Sequence, residues 1–178
     1  YPGGYDACIT AMNLKAHSLE MYDTSFKDSS GLTPENKSSA SDLAKLVLAA
    51  AAFPEIKQFS TEKVYTTQTQ QILKRNKIKK ISYGTTNRLL LTDDWNINLQ
   101  KTGFTQAAGF CVVMNLTISD EEFIIILLNN QSKQQRAIDA IKIKYWLEYK
   151  VVPSKSVLTK LNPYKINPST KKNKHKQR

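Results

Sequence analysis

The sequence predicts a mixed α/β fold of the α+β type, in which an antiparallel sheet carries helices on its faces. Residues 97–103 and 110–118 follow a period of two, which is typical of strands. Residues 123–128 are apolar at every position, which predicts a central strand that is buried on both faces. Short polar turns separate these stretches, so we expect three consecutive antiparallel strands.

Three segments with apolar residues at helical spacing predict the helices, over residues 5–19, 39–52 and 132–149. Ser39 is a suitable N-cap for the second helix, and Asp42 places a carboxylate near the positive end of that helix. A further short helical turn is expected through Ile56 and Phe59. Residues 60–82 are polar and mixed, and they predict an extended surface excursion with one or two short strands.

The net charge of +11 comes mostly from the end of the chain. Residues 153–178 hold eight Lys or Arg and no acid, which leaves 18 basic against 15 acidic residues before them. We therefore expect a folded region over residues 1–152 and a basic tail over 153–178, disordered from about residue 163. Lysines without interleaved aromatic residues predict no specific nucleic-acid partner, and a solvated tail or contact with anionic lipid or wall polymer are the alternatives.

The composition gives little support to several other classes of site. No run of 18 apolar residues occurs, so the sequence predicts no transmembrane helix. His17 and His175 are too few and too far apart to suggest a metal site, and no cofactor is predicted. Cys8 and Cys111 do not define a disulfide framework, although a single bridge between them is left open.

The stretch Lys101-Thr102-Gly103-Phe104 is the best candidate for a functional site. It ends a predicted strand with a lysine and a hydroxyl, followed by a glycine that can bring the backbone close to a ligand. A solvated lysine at the strand end and a β-bulge at Gly103 are the structural alternatives. A K-T-G tripeptide is common by chance, so its significance depends on the surrounding sequence.

Several blocks in a fixed order around this stretch resemble the serine D-alanyl-D-alanine peptidases, which are the low-molecular-mass penicillin-binding proteins. The blocks are residues 31–36 (GLTPEN), 38–44 (SSASDLA), 86–89 (TNRL), 101–104 (KTGF) and 108–111 (AGFC). The chain looks most similar to the D-alanyl-D-alanine endopeptidase branch, in which a segment resembling residues 1–5 (YPGGY) follows the second active-site motif. The resemblance covers roughly residues 1–150 and implies part of a penicillin-binding transpeptidase-like domain.

Enzymes of this family use the motifs S-x-x-K, S-x-N and K-T-G. Their serine attacks the carbonyl of the penultimate D-Ala or of a β-lactam, and water then releases the acyl-enzyme. No S-x-N occurs here, and the S-x-x-K matches at Ser60 and Ser169 are not where the resemblance places the nucleophile. We therefore predict that the nucleophile and the motif lysine are absent from this chain. Because the first residue is Tyr1 rather than Met, we expect a processed or excised piece of a longer protein, inactive alone.

The resemblance implies roles for the residues that remain. Lys101 and Thr102 would hold the terminal carboxylate of the substrate, since a cation and a hydroxyl suit an anion. Gly103 would let the substrate lie along the strand. The backbone N–H of Phe104 would be one of the two donors of an oxyanion hole.

Arg136 begins the last helix and resembles the family's arginine that also binds the terminal carboxylate. The alternative is an exposed helix arginine that pairs with Asp139 three residues later. Asn87 is interpreted as a structural turn residue.

The resemblance implies peptidoglycan stem peptides and β-lactams as partners, in the periplasm or cell envelope. Three functions remain open: part of a serine endopeptidase or carboxypeptidase, a non-catalytic module that binds D-Ala-D-Ala peptides or cell wall, and a basic protein that acts through its tail. In the family the first strands and the last helix complete the sheet. We therefore expect an uncovered sheet edge and self-association through it.

Overall fold

The structure is a computed structural model that describes residues 1–69 and 79–165 of the 178. The helices are α1 (Gly4–Ser18), α2 (Ala40–Ala50), α3 (Pro54–Ser60), α4 (Lys133–Tyr149) and α5 (Lys155–Leu161). The strands are β1 (Val64–Thr69), β2 (Lys79–Gly84), β3 (Asn96–Thr105), β4 (Gly109–Ile118) and β5 (Glu121–Asn130). A short 3-10 helix spans Arg88–Leu91. None of the helices in the described ranges is both long and apolar enough to cross a bilayer.

The predicted helix starts are confirmed by local capping bonds. The Oγ of Ser39 accepts a hydrogen bond from the backbone N–H of Asp42 at the start of α2. The Oγ of Ser132 likewise accepts from the N–H of Gln135 at the start of α4. Each bond satisfies an N–H that has no partner within its helix. The predicted helix over residues 5–19 is also found, as α1.

Strands β3, β4 and β5 form one antiparallel sheet in the order β3-β4-β5, as the period-two pattern predicts. Ser119 and Asp120 connect β4 to β5 with positive φ angles of 49° and 64°. Two consecutive residues with positive φ match the twist of a two-residue hairpin connection. This meander places β3, with residues 101–104, at one edge of the sheet.

The core lies between one face of the sheet and α4. Alternate residues of β4 point into it, among them Met114 and Leu116, whose side chains are fully buried. Ala140 and Ile141 of α4 cover them. On the other face, α2 contacts β4 and β5, so helices lie on both faces of the sheet as expected.

The expectation of a central, fully buried strand over residues 123–128 is wrong. Among the described strands β5 pairs only with β4, and within 123–128 only Ile125 is buried. Leu128 is 41% exposed. An apolar run indicates that a strand has much apolar surface to bury, but it does not indicate how many strands lie beside it. β4 is central because it forms hairpins with both of its sequence neighbours.

The predicted excursion over residues 60–82 contains β1 and most of β2, which pair in a two-stranded sheet and agree with the prediction of short strands. Its connecting residues 70–78 lie outside the described ranges.

Residues after Pro153 do not all behave as the expected tail. Residues 155–161 form α5, and Leu158, Leu161 and Tyr164 pack against the core. These apolar side chains are enough to hold a short helix on α4, so packed structure continues beyond the predicted boundary after residue 152. The rest of the predicted disordered tail, residues 166–178, lies outside the described ranges.

Candidate active site

The candidate site lies on the free edge of β3. Opposite residues of antiparallel strands alternate between pairs that exchange hydrogen bonds and pairs that do not. The N–H of Gln100 points away from β4, because it donates to the Oγ of Ser60 at 3.3 Å. By alternation, Thr102 and Phe104 also direct their N–H and C=O groups to the free edge, whereas Gly103 bonds with its partner Cys111 on β4.

Lys101 is exposed, and its ammonium group lies beside the free edge. Its Nζ donates a hydrogen bond to the backbone C=O of Thr102 at 2.6 Å. This contact holds the cation close to the edge without neutralising it. An anion that reached the same edge would find one fixed positive charge there.

Thr102 has a hydroxyl partner that the sequence reasoning missed. Its Oγ1 lies 2.6 Å from the Oγ1 of Thr86, and either oxygen can donate. Thr86 directly precedes Asn87, and in the sequence it was marked only as the first residue of the block 86–89 (TNRL), with no role in the site. Asn87 itself is structural as interpreted, since it is 3% exposed and its Oδ1 accepts from the N–H of Leu89.

Gly103 and Phe104 leave the strand open to a ligand. A Cβ added to Gly103 would meet none of the described atoms within 4 Å. Gly103 pairs with Cys111 in continuous register, so the alternative of a β-bulge at this residue is wrong. The ring of Phe104 stacks on Phe110 of β4 with a centroid distance of 4.1 Å. The stacking fixes Phe104 from the β4 side while its N–H faces the free edge.

Arg136 lies behind the edge rather than on the surface. It is 4% exposed, and its Nη1 and Nη2 donate to the carbonyls of Cys111 at 3.0 Å and Thr86 at 3.2 Å. The alternative of an exposed arginine is therefore wrong. The Asp139 carboxylate instead accepts from Asn130, Gln135 and Lys142.

The guanidinium of Arg136 joins α4 to two segments that contact residues 101–104. Cys111 pairs with Gly103, and Thr86 contacts Thr102, so each carbonyl that Arg136 binds is one contact from the K-T-G stretch. Burial lowers the pKa of Arg136, and the nearby Tyr164 partly offsets this effect. The structure thus brings Arg136 together with the other candidate residues, with two of its N–H groups occupied by the backbone.

Two open clefts flank residues 101–105 along β3. The first, which we call the aromatic cleft, has a volume of about 300 Å³ and contains Phe59, Tyr65, Tyr83, Gln100, Lys101 and Thr102 in its wall. The second, which we call the loop cleft, has a volume of about 560 Å³ and lies between residues 31–38 and the far end of β3, including Gly103 and Phe104. A ligand that lies along the edge of β3 would extend into both clefts.

The wall of the loop cleft is held by Asp28, which sequence reasoning did not single out. Its carboxylate accepts hydrogen bonds from the N–H groups of Ser30, Gly31 and Thr33 and from the side chain of Asn36. The bond from Thr33 is the main reason that the pKa of Asp28 falls to about 2. The sequence Asp-Ser-Ser-Gly carries the signal of such an Asx-type turn.

Ser60 does not have the surroundings of a nucleophile. It is the last residue of α3, and its Oγ donates to the C=O of Lys57 and accepts from Gln100. Lys63 follows after the helix has ended, so the two residues do not face each other across one helical turn. The other S-x-x-K match, at Ser169, lies outside the described ranges.

Both cysteines, Cys8 and Cys111, are free thiols and half-buried. Residues 1–69 and 79–165 contain no group of three or more His, Cys, Asp or Glu side chains that could hold a metal ion.

Comparison with known proteins connects this geometry to one family. A family model described as D-alanyl-D-alanine carboxypeptidase matches residues 1–132. The D-alanyl-D-alanine endopeptidase of Escherichia coli K12 is 40% identical over 154 residues, which cover 86% of this chain and 48% of that protein. The D-alanyl-D-alanine endopeptidase of Pseudomonas aeruginosa is 37% identical over 148 residues, which cover 83% of this chain and 46% of that protein.

Among solved structures, the Streptomyces K15 DD-transpeptidase superposes with a TM-score of 0.68 at 28% identity. The match covers 78% of this chain and 52% of that one. The mixed helix and antiparallel-sheet architecture is therefore that of the DD-peptidases. The chain spans about half the length of the relatives that it matches.

Proposed function

The chain belongs to the D-alanyl-D-alanine carboxypeptidase family, and on that basis we propose that it carries the carboxylate-binding wall of a serine D-Ala-D-Ala peptidase. The substrates would be peptidoglycan stem peptides, cleaved through an acyl-enzyme in the periplasm or cell envelope. The observation that carries the proposal is the open edge of β3, where a lysine, a hydroxyl and an outward-facing N–H follow one another.

Each candidate residue has a defined task in this proposal. The ammonium of Lys101 and the hydroxyl of Thr102 bind the terminal carboxylate of the peptide. Gly103 leaves room for the peptide along the strand. The N–H of Phe104 donates to the oxygen of the scissile carbonyl as negative charge develops on it. Arg136 adds positive charge behind the carboxylate and positions Thr86 and β4 through its two backbone hydrogen bonds.

The nucleophile comes from outside these 178 residues in this proposal. The sequence has no S-x-N, and the contacts of Ser60 are those of a helix C-terminus. β-Lactams carry a carboxylate and a reactive carbonyl, so they would meet the same wall but could not acylate this chain.

A non-catalytic module that binds D-Ala-D-Ala peptides is the second candidate function. It is favoured by the accessibility of Lys101 and of the open side of Gly103, since neither needs a catalytic serine to receive a ligand. Both candidates predict peptide binding at β3, and they differ in whether a nucleophile completes the site.

Two measurements on the chain test the proposal. Titration with acetyl-D-alanyl-D-alanine, followed by NMR, should shift the amide signals of residues 101–104. Lys101→Ala should raise the dissociation constant of the peptide roughly tenfold to a hundredfold, which is the expected loss of affinity for a hydrogen bond to a charged group. Lys15→Ala is the matched control, because Lys15 is also an exposed lysine but lies on α1, and it should leave the dissociation constant unchanged.

Fluorescent penicillin tests the origin of the nucleophile. The chain alone should not form a covalent adduct. Labelling of the chain would contradict the absence of a serine nucleophile, and the absence of any peptide binding would contradict the proposed wall itself.

A further inference from the structure

We propose that Thr86 is a positioning residue for the carboxylate site, and that its hydroxyl orients the hydroxyl of Thr102 toward the terminal carboxylate of a bound peptide. This inference rests on the proposed function, because that function assigns Thr102 to the carboxylate. Thr86 belongs to none of the motifs S-x-x-K, S-x-N and K-T-G, and it lies 16 residues before its partner in the sequence. The role therefore follows from the contacts of Thr86 and not from a motif.

The hydroxyls of Thr86 and Thr102 share one hydrogen bond, and its direction decides which proton is available to a ligand. The two Oγ1 atoms are 2.6 Å apart, a distance at which one of the two protons lies between them. Each hydroxyl has one proton, so when Thr86 donates to Thr102, the proton of Thr102 is left for another acceptor. A carboxylate only accepts hydrogen bonds, so it favours this arrangement. The bond from Thr86 also polarises the Thr102 hydroxyl and strengthens the bond that it donates.

The backbone around Thr86 is held in place on both sides of the residue. The Nη2 of Arg136 donates to the C=O of Thr86 at 3.2 Å. Before it, the N–H of Thr85 donates to the C=O of Lys63 at 2.9 Å. After it, Asn87 is buried, and its N–H donates to the Oγ1 of Thr85 at 3.2 Å. Because a branched Cβ also makes threonine stiff about χ1, the hydroxyl of Thr86 has a fixed position from which to donate.

The pair of hydroxyls is accessible to a ligand and lies beside the positive charge of the site. Thr86 is exposed, and it forms part of the wall of the aromatic cleft together with Lys101 and Thr102. Lys101 supplies the charge that attracts a carboxylate, whereas Thr86 is neutral. Thr86 therefore sets the direction of one hydrogen bond, and its effect on affinity should depend on whether the ligand carries a carboxylate.

A purely structural role for the same contact makes a different prediction. The bond between the two hydroxyls joins the segment before the 3-10 helix to β3, so its loss would then loosen the site for every ligand to the same extent. Two soluble ligands that share one acyl group distinguish the two roles. They are acetyl-D-alanyl-D-alanine, which ends in a carboxylate, and acetyl-D-alanyl-D-alaninamide, which ends in a neutral amide. Both are titrated into the chain and followed by NMR.

Thr86→Val keeps the shape of the side chain and removes its hydroxyl. It should raise the dissociation constant of the acid ligand roughly fivefold to tenfold, because it weakens a hydrogen bond to a charged group, and that of the amide ligand less than about twofold. Thr86→Ser, which keeps the hydroxyl, should retain most of the affinity for the acid ligand. Thr66→Val is the matched control and should leave both constants unchanged. The Oγ1 of Thr66 lies 2.9 Å from the Oγ of Ser82, in another exposed hydroxyl pair that is outside the cleft.

A double substitution shows whether Thr86 acts through Thr102. Thr102→Val removes the hydroxyl that is assigned to the carboxylate, and it should raise the dissociation constant of the acid ligand at least as much as Thr86→Val does. In a chain that already carries Thr102→Val, the further change Thr86→Val should raise this constant by less than about twofold, because residues that share one network are not additive. Full additivity of the two losses would overturn the positioning role, since Thr86 would then act on the ligand without Thr102.

The outcomes separate this inference from the proposed function. An unchanged affinity of Thr86→Val for the acid ligand would overturn the positioning role and leave the carboxylate wall intact. Equal losses for the acid and the amide ligand in Thr86→Val would also overturn it, because they would indicate a structural role alone. Failure of the acid ligand to bind the unsubstituted chain would overturn the proposed function, and the inference with it.

Discussion

The two edges of the three-stranded sheet have different chemistry, although they belong to one meander. At the β3 edge, the N–H of Gln100 and the C=O of Thr102 have side-chain partners, from Ser60 and Lys101. The β5 edge carries an uninterrupted apolar run from residue 123 to 128, and among the described strands nothing pairs with it.

This difference indicates the kind of partner that suits each edge. Side-chain hydrogen bonds can be exchanged for a ligand at small cost, so the β3 edge suits a temporary occupant such as a peptide. An apolar strand without a neighbour is a site of association, so the β5 edge suits a cover that stays in place. The predictions below test this distinction.

The largest effect is expected for the strand between the two edges. Met114→Ala in β4 should lower the free energy of unfolding by about 2–5 kcal/mol, because the fully buried side chain would leave a cavity. Leu128→Ala at the β5 edge should cost less than about 1 kcal/mol, since Leu128 is 41% exposed. Urea denaturation of both variants measures the difference, and equal losses would mean that the β5 edge is as well buried as the centre.

The second-largest effect is expected for Arg136, which supports the β3 edge from behind. Arg136→Ala removes the donors to the carbonyls of Thr86 and Cys111, and we expect a loss of about 2–3 kcal/mol in unfolding free energy. Arg88→Ala, which removes a cation–π contact between the exposed Arg88 and Tyr164, is the control and should cost about 1 kcal/mol or less. Equal losses of unfolding free energy for Arg136→Ala and Arg88→Ala, measured by urea denaturation, would show that Arg136 does not stabilise the β3 edge.

A charge on the β5 edge should change association more than stability. Leu128→Lys should reduce self-association in sedimentation velocity, because a lysine on an edge strand opposes pairing with another copy. Its unfolding free energy should change by less than about 1 kcal/mol. Gln106→Lys, an exposed position just beyond β3, should leave association unchanged. A monomeric unsubstituted chain would contradict the expected association.

The smallest effect concerns the loop that faces the end of β3. The pKa of Asp28 is lowered to about 2 by hydrogen bonds from the loop backbone, so the ionised carboxylate is stabilised by folding. Its contribution should be complete above the ordinary aspartate range and be lost as the pH falls toward 2. Asp28→Asn should be less stable than the unsubstituted chain at pH 6, and the gap should close in thermal unfolding near pH 2. A gap independent of pH would exclude the ionised carboxylate as its cause.

Features that depend on neighbours in sequence were predictable from the sequence. Ser39 accepts from an N–H three residues away, as its prediction as the N-cap of α2 required, and Ser132 caps α4 by the same local rule. The alternation along β4 predicted its buried face, and the K-T-G stretch with its surrounding blocks predicted the family. The helical spacing of residues 132–149 predicted α4, but not that Arg136 would be buried.

The tertiary structure decided whatever depends on residues far apart in the chain. Arg136 binds the carbonyl of Thr86 across 50 residues of sequence, and no periodicity reports that contact. The same holds for the edge position of β5 and for the packing of α5, because an apolar residue shows that it needs a neighbour without showing which one. By itself the sequence determined the local elements and the chemistry of residues 101–104. The tertiary structure decided that this chemistry lies on an open edge, with aromatic rings at one end of it and a buried arginine behind it.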